Sequence, residues 1–245
     1  KTIMTIISNL LITTESILSD ALILYNSNKS YSEKLNELNN VIAVLLAYFI
    51  GSIPSAIWVS KWFFGVDVRD YGSNNAGATN TFRVIGRVAG FTVLFFDILK
   101  GWISVKILTS LILYEANSSE FINMQLVVGI TAVLGHVFPI YEKFQGGKGV
   151  ATLMGIILAI NFSAAIGCVV IFLMIFIFTS YVSLGAIVAA IFFPIITIFI
   201  IRVESISVIY FSIFISILVI LTHKPNIYRL LNKDENKMKI KLKKN

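Results

Sequence analysis

Residues 148–202 read KGVATLMGIILAINFSAAIGCVVIFLMIFIFTSYVSLGAIVAAIFFPIITIFIIR, with no acid anywhere and bases only at the two ends, Lys148 and Arg202. A membrane-spanning helix needs about 20 mostly apolar residues, so the run is too long for two tidy spans and suits three. The polar punctuation falls at Asn161-Phe162-Ser163 and at Thr179-Ser180-Tyr181, where Asn and Ser favour helix caps and turns. Working outward, further apolar segments lie at 40–64, 90–114, 121–141 and 205–222. The reading is all-α: a polytopic membrane protein with seven transmembrane helices and glycine-rich cytoplasmic motif loops.

Composition supports this. Hydrophobic residues make up 57% of the 245 and charged residues 13%, against roughly 45–50% and 25% in soluble domains. The formal charge of +7 reads as topology rather than nucleic-acid binding, because Lys and Arg accumulate in cytoplasmic loops. Lys61, Arg69, Arg83 and Arg87 follow the first span, Lys143 and Lys148 the third, and Lys224 and Arg229 the last. All fall on one side, which the positive-inside rule makes cytoplasmic. The single Cys168 sits in an apolar run and excludes a disulfide framework. Three segments follow: an N-terminal extension over 1–39, an interfacial helix plus polar linker; a seven-helix domain over 40–231; and a Lys-rich cytoplasmic tail over 232–245.

Three glycine-rich stretches sit at the cytoplasmic ends of spans: GSIP at 51–54, GSNNAGATNTFR at 72–83 and GHVFPIYEKFQGGKGVAT at 135–152. Irregular backbone at membrane depth must be buried in protein or line a wet cavity, and stretches on one face can share a site. In the second, Ser73, Asn75, Thr79 and Asn80 offer neutral hydrogen-bonding groups, and Arg83 a planar fork suited to phosphate. In the third, Gly146-Gly147-Lys148-Gly149 sets one cation among backbone amides before a helix, where anions are favoured. The spacing is not that of a Walker loop, since Glu142 stands where its first glycine belongs and Gly149 follows the lysine. Asp97 and Lys100 share a helical face inside a span. A structural ion pair and a functional pair are equally good readings of them. His136 reads as a core histidine or a site residue, and His223 and Asn226 close the last span, where Pro225 stops the helix.

These residues resemble the bacterial acyl-phosphate:glycerol-3-phosphate acyltransferases. GSIPSA at 51–56 is similar to that family's first motif, GSNNAGATNTFR to its second and GHVFPIYEKFQGGKGVAT to its third; DILKG at 97–101 also fits. The resemblance implies a seven-helix fold in the bacterial inner membrane with its site facing the cytoplasm. It implies transfer of a fatty acyl group from acyl phosphate to the 1-hydroxyl of glycerol 3-phosphate, giving lysophosphatidic acid and inorganic phosphate, the first membrane step of phospholipid synthesis. No metal, nucleotide or other cofactor is called for. Phosphate and substrate contacts carry over onto Ser73, Thr79, Arg83, Lys148, Ser183, His223 and Asn226. Of these, Ser73, Arg83, Lys148 and His223 are expected to be catalytic. Asn75, Thr79, Asn80, Gly146, Gly147, Ser183 and Asn226 are expected to bind substrate. The expected partners are the lipid bilayer, the two substrates and a soluble acyl-phosphate-forming enzyme, with no nucleic acid. Asn74 stands where the family usually has Gly, a mild change because Asn tolerates left-handed backbone. A transporter of a phosphorylated metabolite is the alternative, since it too would want cations and broken helices around a polar cavity.

Overall fold

The computed structural model describes residues 2–111 and 114–238, and the Lys-rich run beyond Met238 lies outside them. Among the described residues all regular structure is helical. Ten α-helices follow in order: α1 Thr2–Gly51, α2 Ser55–Phe64, α3 Ala78–Val84, α4 Arg87–Lys106, α5 Ser119–Val137, α6 Val150–Ile160, α7 Phe162–Thr179, α8 Val182–Ile195, α9 Ile206–Thr222 and α10 Lys224–Leu231. The chain divides into two compact units, Lys1–Ile42 and Ala43–Asn245.

The long apolar run breaks where its polar residues predict. Asn161 caps α7, its Oδ1 accepting from the Ala164 amide at 2.9 Å, and Ser180 ends that helix in left-handed backbone at φ 61°. Ser118 caps α5 in the same way, at 3.1 Å to the Phe121 amide. Each cap satisfies an amide that lipid would leave without a partner.

Two expectations need adjusting. The polar linker of the N-terminal segment is helical: α1 runs unbroken through it to Gly51. No Gly or Pro occurs before that residue, so nothing in the sequence interrupts the backbone ladder. Second, among the described residues four helical stretches meet the length and apolarity of a span: Arg87–Leu111, Ser119–Glu142, Phe162–Thr179 and Val182–Ile200. Two bent pairs, Lys29–Gly51 with Ser55–Phe64 at 41° and Ile206–Thr222 with Lys224–Leu231 at 61°, bring the number to six, while Val150–Ile160 is apolar but short. Seven is reached only if α6 is counted with them.

The short α6 owes its place to contact with α4. A Cβ on Gly155 would run into the Ile98 carbonyl, and one on Gly101 into the Thr152 carbonyl. The two backbones therefore touch, the close approach that small residues permit between membrane helices. Lys100, one residue before Gly101, donates to the Ile53 carbonyl at 2.8 Å and pairs with Asp97 at 2.8 Å. Ile53 belongs to the GSIP break, where Pro54 cannot donate to the helix ladder. The first motif thus supplies a kink and a carbonyl that tie α2 to α4. Outward, α7 exposes Phe162, Ile166, Val170, Met174, Ile177 and Phe178, a helical stripe suited to lipid.

Gly155→Val should destabilise the purified protein by ~3 kcal/mol, the upper end for overpacking, because backbone rather than a yielding side chain blocks the new methyls. Ile177→Val, on the exposed stripe, should change stability by less than about 0.5 kcal/mol. Thermal unfolding in detergent checks both, and equal melting of the two variants would contradict the contact.

Candidate active site

The loop between α2 and α3 is built by its own polar side chains. Asp67 accepts from the Arg69 amide at 3.0 Å and pairs with the Arg69 guanidinium at 2.7 Å and with Lys61 at 3.0 Å. The Arg69 hydrogen bonds hold the Asp67 carboxyl well below the usual carboxylate range. Arg69 also reaches Glu142 at 2.9 Å, which fastens this loop to the turn that precedes Lys148. Asn80 organises the motif from within. Its Oδ1 accepts from the Ser73 amide at 2.8 Å, and its Nδ2 donates to the Val68 carbonyl at 2.7 Å and the Tyr71 carbonyl at 3.0 Å. With both amide protons committed, Asn80 shapes the loop. Asn74 adopts φ 55°, the left-handed backbone that its place in the motif calls for, and donates to the Arg69 carbonyl at 2.8 Å.

The glycines before Lys148 differ from expectation. Their amides are not open to an anion: Gly146 donates to the Val137 carbonyl and Gly147 to the His136 carbonyl, each at 3.2 Å. A Cβ on Gly146 would strike the His136 carbonyl, and one on Gly147 the His136 ring. The segment lies flat against the end of α5, where side chains would not fit, and this packing delivers Lys148 to its position. His136 is itself buried, 3.6 Å from Asp97 and 3.1 Å from the Thr152 hydroxyl.

A cavity of about 350 Å³ opens beside Lys148. Most of its polar lining comes from helix ends and loops: Ser73, Asn75, Thr79, Asn80 and Arg83 in and around α3, His136 in the last turn of α5, Lys148 before α6, Ser183 in the first turn of α8, His223 and Asn226 at the α9–α10 bend, and Glu235 beyond α10; Asp97, from the middle of α4, is the exception. Its apolar lining comes from helix interiors, including Leu153, Ile157, Cys168, Phe193 and Ile215. On α8 the small residues Ala186, Ala189 and Ala190 leave the space open. Asp97 apart, polar head and greasy body thus follow from where in the helices each residue sits. Gly146 and Gly147 line only a small neighbouring void.

Hydrogen bonds join the polar groups. The Lys148 ammonium donates to Asn226 Oδ1. The Asn226 amide donates to Glu235 Oε1 at 2.8 Å, and the Ser183 hydroxyl to the same oxygen at 2.9 Å. Arg229 Nε donates to Glu235 Oε2 at 2.8 Å. Arg83 donates one guanidinium nitrogen to the Asn236 carbonyl at 2.9 Å, while its buried Nε has no hydrogen-bond partner among the described residues. Burial pulls the Lys148 ammonium down to about 8, with Glu235 opposing that and Arg229 and Arg83 adding to it. His223 is 3% exposed. Its Nδ1 lies 2.8 Å from the Val219 carbonyl, which can only accept, so Nδ1 carries the proton and Nε2 is the acceptor of a neutral ring.

The predicted polar residues therefore meet around one cavity, with Asn80 in a supporting place and the two glycines behind its wall. Glu235 and Arg229 complete the cluster and were not singled out from sequence. Arg229 passed as one base among the positive-inside charges, and Glu235 as an acid inside a lysine-rich tail. An acid four residues past the helix that carries Asn226 into the site was the available signal.

The sequence model of the glycerol-3-phosphate acyltransferase family matches residues 41–233. A glycerol-3-phosphate acyltransferase of Fusobacterium nucleatum is 44% identical over 197 residues, covering 80% of this chain and 96% of that protein. One of Staphylococcus aureus is 42% identical over 200 residues, covering 81% and 98%. The crystal structure of PlsY (YgiH), an integral membrane glycerol 3-phosphate acyltransferase, in its glycerol 3-phosphate form, aligns with a TM-score of 0.74 at 36% identity over 82% of this chain and 96% of that one. Its lysophosphatidic acid form aligns with a TM-score of 0.71 at 35% identity, over 82% and 95%. With a matching fold as well as a matching sequence over nearly the whole length of these relatives, this integral membrane chain belongs to the glycerol-3-phosphate acyltransferase family.

Proposed function

We propose that the protein transfers a fatty acyl group from acyl phosphate to the 1-hydroxyl of glycerol 3-phosphate, releasing lysophosphatidic acid and inorganic phosphate at the cytoplasmic face of the bacterial inner membrane. The observation that carries this is one cavity with a cationic head and an apolar body. Both substrates bring a phosphate, and the head offers Lys148 and Arg83, whose buried Nε lacks a partner among the described residues. Only the acyl donor brings a long hydrocarbon, and the body between α6, α7, α8 and α9 suits it. Leu173 lines the cavity and is 44% exposed on the lipid-suited surface of α7, so a tail would enter from the bilayer there while glycerol 3-phosphate arrives from water.

In this account the glycerol hydroxyl attacks the acyl carbon, and the bond from that carbon to the phosphate oxygen breaks. The hydroxyl proton passes to His223 Nε2, the ring's free lone pair. Lys148 and Arg83 take up the charge that develops on the departing phosphate, while Ser73, Asn75 and Thr79 orient the two substrates. Positioning and preorganised charge supply the acceleration. The mixed anhydride is already activated, so no acyl-enzyme is needed, and Cys168 lies among apolar side chains of the cavity's body. The transporter alternative has no observation in its favour, because the polar groups gather at one end of the cavity.

Purified protein given palmitoyl phosphate and glycerol 3-phosphate should release inorganic phosphate only when both are present, and Lys148→Ala should lower kcat/KM by about 10²–10³-fold, the range for removing a charge-stabilising group. Release that ignores glycerol 3-phosphate, or an unimpaired Lys148→Ala, would contradict the assignment. Ala190→Phe, which fills the body and leaves the head intact, should raise KM for palmitoyl phosphate about tenfold while leaving that for glycerol 3-phosphate within about twofold. Equal effects on both would place the acyl chain elsewhere.

A further inference from the structure

The tail that follows α10 turns back onto the site. The Asp234 amide donates to the Arg229 carbonyl at 2.8 Å, the Met238 amide to the Ser180 carbonyl at 2.9 Å, and Lys237 lies 5.2 Å from the centre of the Tyr181 ring. With Arg83 holding the Asn236 carbonyl, the segment bridges α3, the α7–α8 junction and α10. It carries Glu235 inward, its side chain 1% exposed. The matched family region ends at residue 233, two residues short of it. Of the tail's two acids, Asp234 is left exposed and Glu235 is buried, which a merely solvated basic tail would not require.

The geometry points to Glu235 as a positioning residue, whose carboxylate fixes the hydrogen-bond direction of Ser183 and Asn226 and thereby holds Lys148 in place for the phosphate. This rests on the functional reading above. Glu235 Oε1 accepts from both Ser183 and Asn226. An ionised carboxylate only accepts, so the Asn226 NH2 must face it and the Asn226 oxygen must face the Lys148 ammonium. The opposite amide orientation would set oxygen against carboxylate and NH2 against ammonium. Ser183 has one proton, and Glu235 takes its hydrogen bond. The serine oxygen therefore meets substrate as an acceptor, suited to a glycerol hydroxyl rather than a phosphate oxygen.

The same carboxylate offsets local positive charge. Lys148 is faced by Arg83 from α3, Arg229 and Asn226 from α10, His223 from the α9–α10 bend and Glu235 from the tail. Burial works to raise the Glu235 carboxyl, but hydrogen bonds from Arg229, Asn226 and Ser183 hold it below its ordinary value, so it is charged at neutral pH. Without it, Arg83 and Arg229 act on Lys148 unopposed, and the lysine gives up its proton at lower pH. The alkaline limb of the rate then moves down.

The test is the pH dependence of kcat/KM for glycerol 3-phosphate, measured on the full chain in detergent with palmitoyl phosphate as donor. Wild type should lose activity as pH rises through about 8, where Lys148 deprotonates. Glu235→Gln should show that limb about one pH unit lower, with kcat/KM at pH 7 down about tenfold, and Glu235→Asp should restore the limb toward wild type. If Glu235→Gln does not fold, Glu235→Ala assayed with and without formate replaces it, and added formate should raise both the rate and the limb. A slower variant whose limb stays at the wild-type pH, or a Glu235→Ala protein indifferent to formate, would overturn the role of Glu235 alone. A wild-type protein that releases no phosphate from the substrate pair would overturn the functional reading and this inference with it.

Discussion

Two cations, Lys148 and Arg83, line the head of one cavity, and a third, Arg229, stands behind them paired to the Glu235 carboxylate. Burying like charges together is unfavourable unless something answers them. In water the repulsion between two charges about 4 Å apart is near 1 kcal/mol, and at the effective dielectric of a protein surface about four times that. One carboxylate with three hydrogen bonds neutralises part of this. The remaining positive charge is a standing preference for an anion. The partnerless Arg83 Nε belongs to the same imbalance, since a buried donor without an acceptor costs about 1–3 kcal/mol.

The fold brings these groups together from separated parts of the chain. Close approach of α4 and α6 at Gly101 and Gly155 fixes the helix that Lys148 precedes. The flat run of Gly146 and Gly147 against the end of α5 fixes the direction from which that lysine enters. The ion pair of Arg69 with Glu142 locks the α2–α3 loop to the same turn, and the 61° bend between α9 and α10 turns Asn226 toward the ammonium. Much of the polar sequence is thus spent on holding loops. What it exposes to the cavity is a smaller set.

This division explains what the sequence made legible. Helix breaks at Asn161 and Ser180 could be read because lipid gives backbone amides no alternative partner, so polar residues inside apolar runs are caps or site. Asn74 could be placed in left-handed backbone because its neighbours repeat a motif that wants glycine there. The amides of Gly146 and Gly147 could not be read, because whether an amide faces a ligand or a neighbouring carbonyl depends on packing some ten residues away. The helical course of the N-terminal linker was hidden by its polar composition, although its lack of Gly and Pro pointed to it. Glu235 was hidden by its neighbours: a carboxylate in a basic tail has the same local sequence whether it is solvated or folded under a helix.

The decisive measurement is a structure of the protein with glycerol 3-phosphate bound. The phosphate should lie within hydrogen-bonding distance of Lys148 Nζ and the Arg83 guanidinium, with Asn226 and Glu235 unmoved and a glycerol hydroxyl on Ser183. A phosphate seated instead on the amides of Gly146 and Gly147, with Lys148 turned away, would contradict this placement.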